Sequence, residues 1–204
     1  MGVAAGRFEG FAIDRRRHGG RSLGEDLAPH ARRRGRTIGV VGYGAIGSKV
    51  ARYAEAFGMP VLAYDPYLPG DGLPGPGERV GALTDLLARS DVLSLHCPLS
   101  AETRGMIGAA EFARLPKGAL LVNAARGGIV NEAALLEALD SGHIAGAGID
   151  VFETEPLPHE SALRRHPKVI ATPHIAANTP RGPWAWPLAP RIASSRCWPV
   201  ASPR

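Results

Sequence analysis

At 204 residues, 45% hydrophobic and 21% charged, the chain has the composition of a globular protein, long enough for one well-filled domain and short for two. No apolar run approaches the roughly 20 residues that a membrane-crossing helix needs, and the N-terminus lacks the apolar core of a secretory signal. The net charge of +5 sits in the flanks, with nine arginines against four acids in 1–36 and four arginines against none in 181–204, so the net-acidic centre is not expected to bind nucleic acid.

Residues 1–36 include "DRRRHGGR" and "HARRRGR", arginine–glycine clusters with neither strand nor helix period, and are read as an irregular flank. From residue 37 the chain alternates. "TIGVVG" (37–42) reads as a buried strand. "AIGSKVARYAEAFG" (45–58) reads as a helix ending at Gly58, and "VLAYD" (61–65) as a strand. A helix is expected over 82–90 with Thr84 as its cap, then the strand "DVLSLHCP" (91–98), stopped by Pro98. A short helix follows over 109–116, then the strand "ALLVNAA" (119–125). The helix over 131–142 has Asn131 as N-cap and Gly142 as its stop, and the strands 144–152 and 168–174 follow. Residues 181–204 carry five prolines and all three tryptophans, which precludes a long helix and gives an irregular tail.

Six strands alternating with helices predict an α/β fold: a Rossmann-like, doubly wound parallel sheet over 37–180, covered on both faces. Within it "VVGYGAIG" places Gly42, Gly44 and Gly47 in GxGxxG spacing between a strand and a helix. Gly42 serves the tight turn, Gly44 the approach of a pyrophosphate, and Gly47 close helix–strand packing. The N–H groups of Ala45 and Ile46 at the helix start would bind that pyrophosphate. Asp65 ends the second strand, 18 residues beyond Gly47, where a carboxylate holds adenosine ribose hydroxyls and repels a 2′-phosphate; NAD is the expected cofactor.

Ligands of such sheets bind at the carboxyl ends of the strands. There the sequence places Cys97 and Pro98, Arg126, Asp150 with Glu155 shortly after, and His174. Arginine can hold a carboxylate and polarise an adjacent carbonyl, histidine can donate a proton near neutral pH, and a glutamate can orient that histidine. Beside a nicotinamide, the set Arg126, Glu155 and His174 suggests hydride transfer to a carbonyl. The two cysteines, Cys97 and Cys197, form no paired motif, and none of the remaining histidines has metal-ligand spacing, so no metal is expected and a cytoplasmic setting fits.

These blocks, with "LLVNAARGGIVNEAALLEAL", "GAGIDVFETEP" and "VIATPHIAANT", resemble the D-isomer-specific 2-hydroxyacid dehydrogenases, nearest the phosphoglycerate dehydrogenase-like branch, over residues 36–179. The resemblance implies an NAD-dependent oxidoreductase acting on a D-2-hydroxy acid or its 2-oxo partner, with Arg126 on the substrate carboxylate and carbonyl, Glu155 as the catalytic glutamate and His174 as acid/base. It puts Cys97, Ala124, Asp150 and Ala176 along the NAD site, Asp150 facing the nicotinamide carboxamide. It also implies pairing into a homodimer through the cofactor domain. Members of that family carry a separate substrate domain that is largely missing here, and the composition change at both junctions reads as truncated or frame-shifted ends. A non-catalytic NAD(H)-binding remnant or dinucleotide-sensing interaction protein is the alternative.

Overall fold

The computed structural model describes residues 35–177; the expected flank, apart from Gly35 and Arg36, and the whole expected tail lie outside the described residues. Seven strands form one parallel sheet: β1 (Ile38–Val41), β2 (Val61–Tyr64), β3 (Glu78–Arg79), β4 (Val92–Leu95), β5 (Ala119–Asn123), β6 (Ile144–Ile149) and β7 (Val169–Ala171). Their spatial order is β3-β2-β1-β4-β5-β6-β7. The chain starts at the centre, winds out to one edge, then crosses back over β1 and winds to the other. The winding reverses between β1 and β4, and the crevice above that junction is where open α/β sheets bind ligands.

Side chains alternate across a strand, so each strand presents residues to both faces of the sheet. On one face Ile38 and Val40 of β1 and Val61 and Ala63 of β2 pack with Ala51 and Ala54 of α1 (Gly47–Ala56). On the other, Val41, Leu62, Leu93, Leu121 and Ile149 pack beneath four helices. These are α2 (Leu83–Ala88), α3 (Ala109–Arg114), α4 (Glu132–Asp140) and α5 (Ala162–Arg165), which contribute Leu86, Phe112, Leu135 and Leu163 to that larger core.

The expectation of a sheet covered on both faces holds only in part. Among the described residues no helix lies over β5–β7 on the α1 face. There Val122 pairs with Gly148, and Gly148 with Ile170, in one row across the three strands. Val122 is 40% exposed and Ile170 70%, and a side chain built at Gly148 would meet nothing within 4 Å.

Three local expectations are corrected. The sheet has seven strands, not six, because β3 is a two-residue edge strand without an apolar run to signal it. The four-residue α5 was likewise unmarked in the sequence. Thr84 does not cap α2: the N-cap is Ala82, in extended conformation and without a side-chain cap bond, so Thr84 lies inside the first turn. Burial of Leu86 and Leu87, with Leu83 packed against the same core, sets that start in place of cap chemistry. The other ends follow expectation. Asn131 accepts from the Ala134 N–H at 2.9 Å, and Gly58 and Gly142 leave their helices at φ 72° and 73°.

Gly47 is required by packing. A Cβ there would stand 2.0 Å from the Gly42 carbonyl oxygen and 3.2 Å from Val40. Gly47→Ala is therefore expected to lose about 1–3 kcal/mol of stability, the cost of overfilling a packed contact. Gly148→Ala, facing open space, should be neutral within about 0.5 kcal/mol. Urea unfolding of the two variants beside the parent checks both.

Candidate functional site

The turn after β1 is pressed against the turn after β4. Gly42 has φ 89°, and a Cβ on it would lie 2.8 Å from both the Cys97 nitrogen and the His96 carbonyl carbon, so only glycine fits. The next residue, Tyr43, is buried, its hydroxyl donating to the Pro76 carbonyl. Its N–H donates to Asp65 Oδ2 at 2.9 Å, while the Tyr67 N–H donates to Asp65 Oδ1 at 3.0 Å. Asp65, only 5% exposed, thus ties the glycine loop to the end of β2. Gly44 is half-buried, and Ala45 and Ile46 lie exposed where α1 begins. In the first turn of α1 the Ser48 and Lys49 N–H groups donate back to the Gly44 and Ile46 carbonyls, each at 3.0 Å.

Cys97 and Pro98 follow β4. The Cys97 thiol is buried and free, and burial pushes its pKa up to about 11, with the Asp65 charge adding; it is an inert wall rather than a nucleophile. The Pro98 carbonyl accepts from the Thr103 hydroxyl at 2.7 Å. His96, whose pKa burial drives down to about 4, is neutral at pH 7 and shares a 2.9 Å hydrogen bond with the Ser94 hydroxyl, a structural role.

Arg126 stands at the corner between β5 and α4. Asn123, the buried last residue of β5, shapes that corner: its Oδ1 accepts from the Ala125 N–H at 3.1 Å and its Nδ2 donates to the Arg126 carbonyl at 3.2 Å. A Cβ on Gly127 would lie 1.7 Å from the Phe152 carbonyl oxygen, and Gly128 turns at φ 78°. The corner is therefore fitted against the turn that follows β6. Ala124 and the Arg126 side chain are exposed. The guanidinium donates to the Ala125 carbonyl at 2.6 Å and forms no ion pair among the described residues.

His174 and Glu155 meet directly: Nδ1 and Oε2 are 2.8 Å apart, and Glu155 Oε1 accepts from the Phe152 N–H at 3.0 Å. His174 lies three residues beyond β7 rather than at a strand end, at φ 53°, a backbone conformation that side chains seldom adopt. Its N–H donates to the Asp150 carbonyl at 2.8 Å, and the Asp150 carboxylate holds the rest of the turn. Oδ1 accepts from the Thr172 hydroxyl and, at 2.9 Å, from the Ile175 N–H; Oδ2 accepts from the Ala176 N–H at 2.9 Å. Burial by itself would raise the pKa of either carboxyl. For Asp150 the Thr172 hydroxyl, the two N–H donors and the His174 charge outweigh it and hold the group below its ordinary range. For Glu155 the His174 hydrogen bond, the Phe152 N–H and the His174 charge do the same.

Every expected site residue therefore lies at the carboxyl edge. Asp65 and Asp150, expected to face a ligand, are both largely occupied by backbone donors. Asn123, Tyr43 and Thr172 were not foreseen; a polar residue closing an apolar strand, as in "ALLVN", is the signal that could have found the first.

The sequence pattern described as "D-isomer specific 2-hydroxyacid dehydrogenase, NAD binding domain" matches residues 9–176. The chain belongs to this family. D-3-phosphoglycerate dehydrogenase of Bacillus subtilis (strain 168) is 48% identical over 145 residues, 71% of this chain and 27% of that one. The D-isomer specific 2-hydroxyacid dehydrogenase of Xanthobacter autotrophicus, solved with NADPH and MES, superimposes with TM-score 0.63 at 41% identity, over 68% of this chain and 57% of that one. D-lactate dehydrogenase of Lactobacillus jensenii, solved with NAD+, gives TM-score 0.64 at 37% identity over 71% and 47%. The chain thus spans about a quarter to a half of the length of these relatives. What it holds in common with them is the NAD-binding domain. Among the described residues no helix is long and apolar enough to cross a membrane, and no cluster of three or more His, Cys, Asp or Glu could hold a metal ion.

A carboxyl whose pKa is depressed by folding stabilises the fold above its unfolded value and loses that contribution as pH falls through the folded one. Both Asp150 and Glu155 have this sign, so stability is expected to be greatest near neutrality and to fall below about pH 4. Asp150→Ala should lower stability at pH 7 by about 1–3 kcal/mol, from donors left unpaired, and flatten the acid loss. Urea unfolding as a function of pH measures both.

Proposed function

We propose that this protein performs the hydride-transfer chemistry of a D-2-hydroxyacid dehydrogenase: 2-hydroxy acid + NAD+ ⇌ 2-oxo acid + NADH + H+. The observation that carries the reading is the 2.8 Å contact between His174 Nδ1 and Glu155 Oε2, at the same sheet edge as the exposed Arg126. With Nδ1–H given to Glu155, Nε2 has no partner among the described residues and is left to exchange a proton with substrate oxygen. Glu155 fixes the tautomer and stabilises the imidazolium. Arg126, released from the Ala125 carbonyl, offers two parallel N–H donors to a carboxylate and its neighbouring carbonyl.

The residues present fit the cofactor. Gly42 and Gly47, where a Cβ would collide with backbone, hold the loop close to β4 and α1, and Ala45 and Ile46 are exposed just before α1, where their N–H groups would meet a pyrophosphate. Asp65 accepts one backbone N–H on each oxygen, so lone pairs remain for ribose hydroxyls, and its charge disfavours a 2′-phosphate. Cys97, Pro98, Ala124 and Ala176 complete the wall, and Asp150 Oδ2, with one donor, keeps a lone pair for a carboxamide. Bound NAD supplies or accepts the hydride. When the 2-oxo acid is reduced, His174 gives its Nε2 proton to the oxygen that becomes hydroxyl; in the reverse direction it takes that proton back. The same reading makes 37–180 the cofactor unit of a cytoplasmic homodimer, with Tyr53 on α1 and Phe57 just after it, both exposed, as apolar surface for pairing.

Fluorescence titration with NADH followed by assays against a panel of 2-oxo acids tests the proposal. Binding with turnover supports it. Binding without turnover supports a non-catalytic NAD(H)-binding protein, and no binding overturns both. Where turnover is found, His174→Ala and Arg126→Ala should each reduce kcat by at least about 100-fold while NADH affinity changes only a few-fold. Asp65→Ala should weaken NADH binding and narrow the preference over NADPH; because Asp65 also ties down the glycine loop, it should lower the melting temperature as well.

A further inference from the structure

The turn that carries Glu155 is anchored to the neighbouring β5–α4 connection at two places. One is Gly127 against the Phe152 carbonyl. The other is a crossed pair of backbone contacts between residues 21 apart in sequence. Glu153 Oε1 accepts from the Glu132 N–H at 3.0 Å, and Glu132 Oε1 accepts from the Glu153 N–H at 2.6 Å. Glu132 is the first residue of α4, so the Glu153 carboxylate takes the first N–H of the helix at its positive end, next to Asn131, which caps Ala134. Two carboxylates drawn together repel each other. Burial raises the Glu132 pKa and the Glu153 charge raises it further, opposed by the hydrogen bond from the Glu153 N–H. The arrangement is sustained because each acid satisfies the other's backbone. Glu132 also lines a small cavity with Asn123, Gly128 and Ile149, which puts it beside the residue that shapes the Arg126 corner.

We propose that Glu153 and Glu132 are positioning residues: their crossed contacts lock the 152–155 turn to the start of α4, holding Glu155 within reach of His174 and in register with Arg126. This rests on the roles given to those three residues above. Neither acid touches substrate or cofactor in this scheme; both act through Glu155.

The test compares Glu153→Ala with Glu153→Gln in the full chain, reading the carboxyl titration of Glu155 by carbon-13 NMR. Both variants lose a negative charge two residues away, which by itself lowers the Glu155 pKa equally in each. Only alanine also loses the oxygen that accepts from Glu132. The charged groups facing Glu155 are His174 and Asp150, and both are unchanged. Glu155 is expected to titrate about half a unit higher in the alanine variant than in the glutamine variant, roughly a threefold change in proton affinity. Identical titrations overturn the proposal. Should Glu153→Ala not fold, Glu132→Ala against Glu132→Gln gives the same comparison from the other side. The titration needs neither cofactor nor substrate. Failure to bind NADH would therefore remove the proposed function and leave this result standing, and identical titrations would remove the positioning role alone.

Discussion

Where a parallel strand ends, its backbone N–H groups lose their ladder partners while the chain is still buried, and each must find another acceptor. In this protein carboxylates supply them. Asp65 takes the N–H groups of Tyr43 and Tyr67, Asp150 those of Ile175 and Ala176, Glu155 that of Phe152, and Glu153 that of Glu132. A charged acceptor makes a stronger hydrogen bond than a neutral one. It also fixes a turn that has no regular structure of its own. The unusual backbone of His174 survives because Asp150 holds it from the carbonyl and from both carboxyl oxygens.

This arrangement gives the acids two duties. The groups that a dinucleotide or a 2-oxo acid would meet are also the groups that hold the edge of the sheet together. Substitution at Asp65 or Asp150 therefore changes stability together with any binding, whereas the Arg126 side chain is exposed, bonded only to the Ala125 carbonyl among the described residues, and can be altered with little effect on the fold. Glycine solves the other half of the problem, bringing turns together at distances a Cβ would forbid: Gly42 against Cys97, Gly47 against Gly42, and Gly127 against Phe152.

The chain shares the NAD-binding domain of its family. Parallel sheets are normally covered on both faces. Here the row Val122, Gly148 and Ile170 lies open among the described residues, while the opposite face carries the whole larger core. Among the described residues, the half of the sheet that holds the candidate acid/base pair is thus the less enclosed half.

The apolar runs marked the starts of six strands to within one residue, because hydrophobic period signals them, whereas β4, β6 and β7 end three residues before the expected limits. The GxGxxG spacing and the positions of Asp65, Arg126, Glu155 and His174 at one edge were legible for the same reason: alternating strands and helices admit one sheet edge for ligands. The two-residue β3 and the true start of α2 were not, because neither has a local signature that outweighs tertiary burial. Which carboxylate oxygen meets which N–H, and the pairing of Glu132 with Glu153 across 21 residues, could not be read from composition or period. Those contacts exist only once β5, β6 and β7 lie side by side. The sequence by itself determined the sheet, its ligand edge and the residue types placed there. Only the tertiary structure decided which of those residues are tied into the backbone and which remain free to act, because satisfying buried N–H groups is a property of the packed turns and not of any one segment.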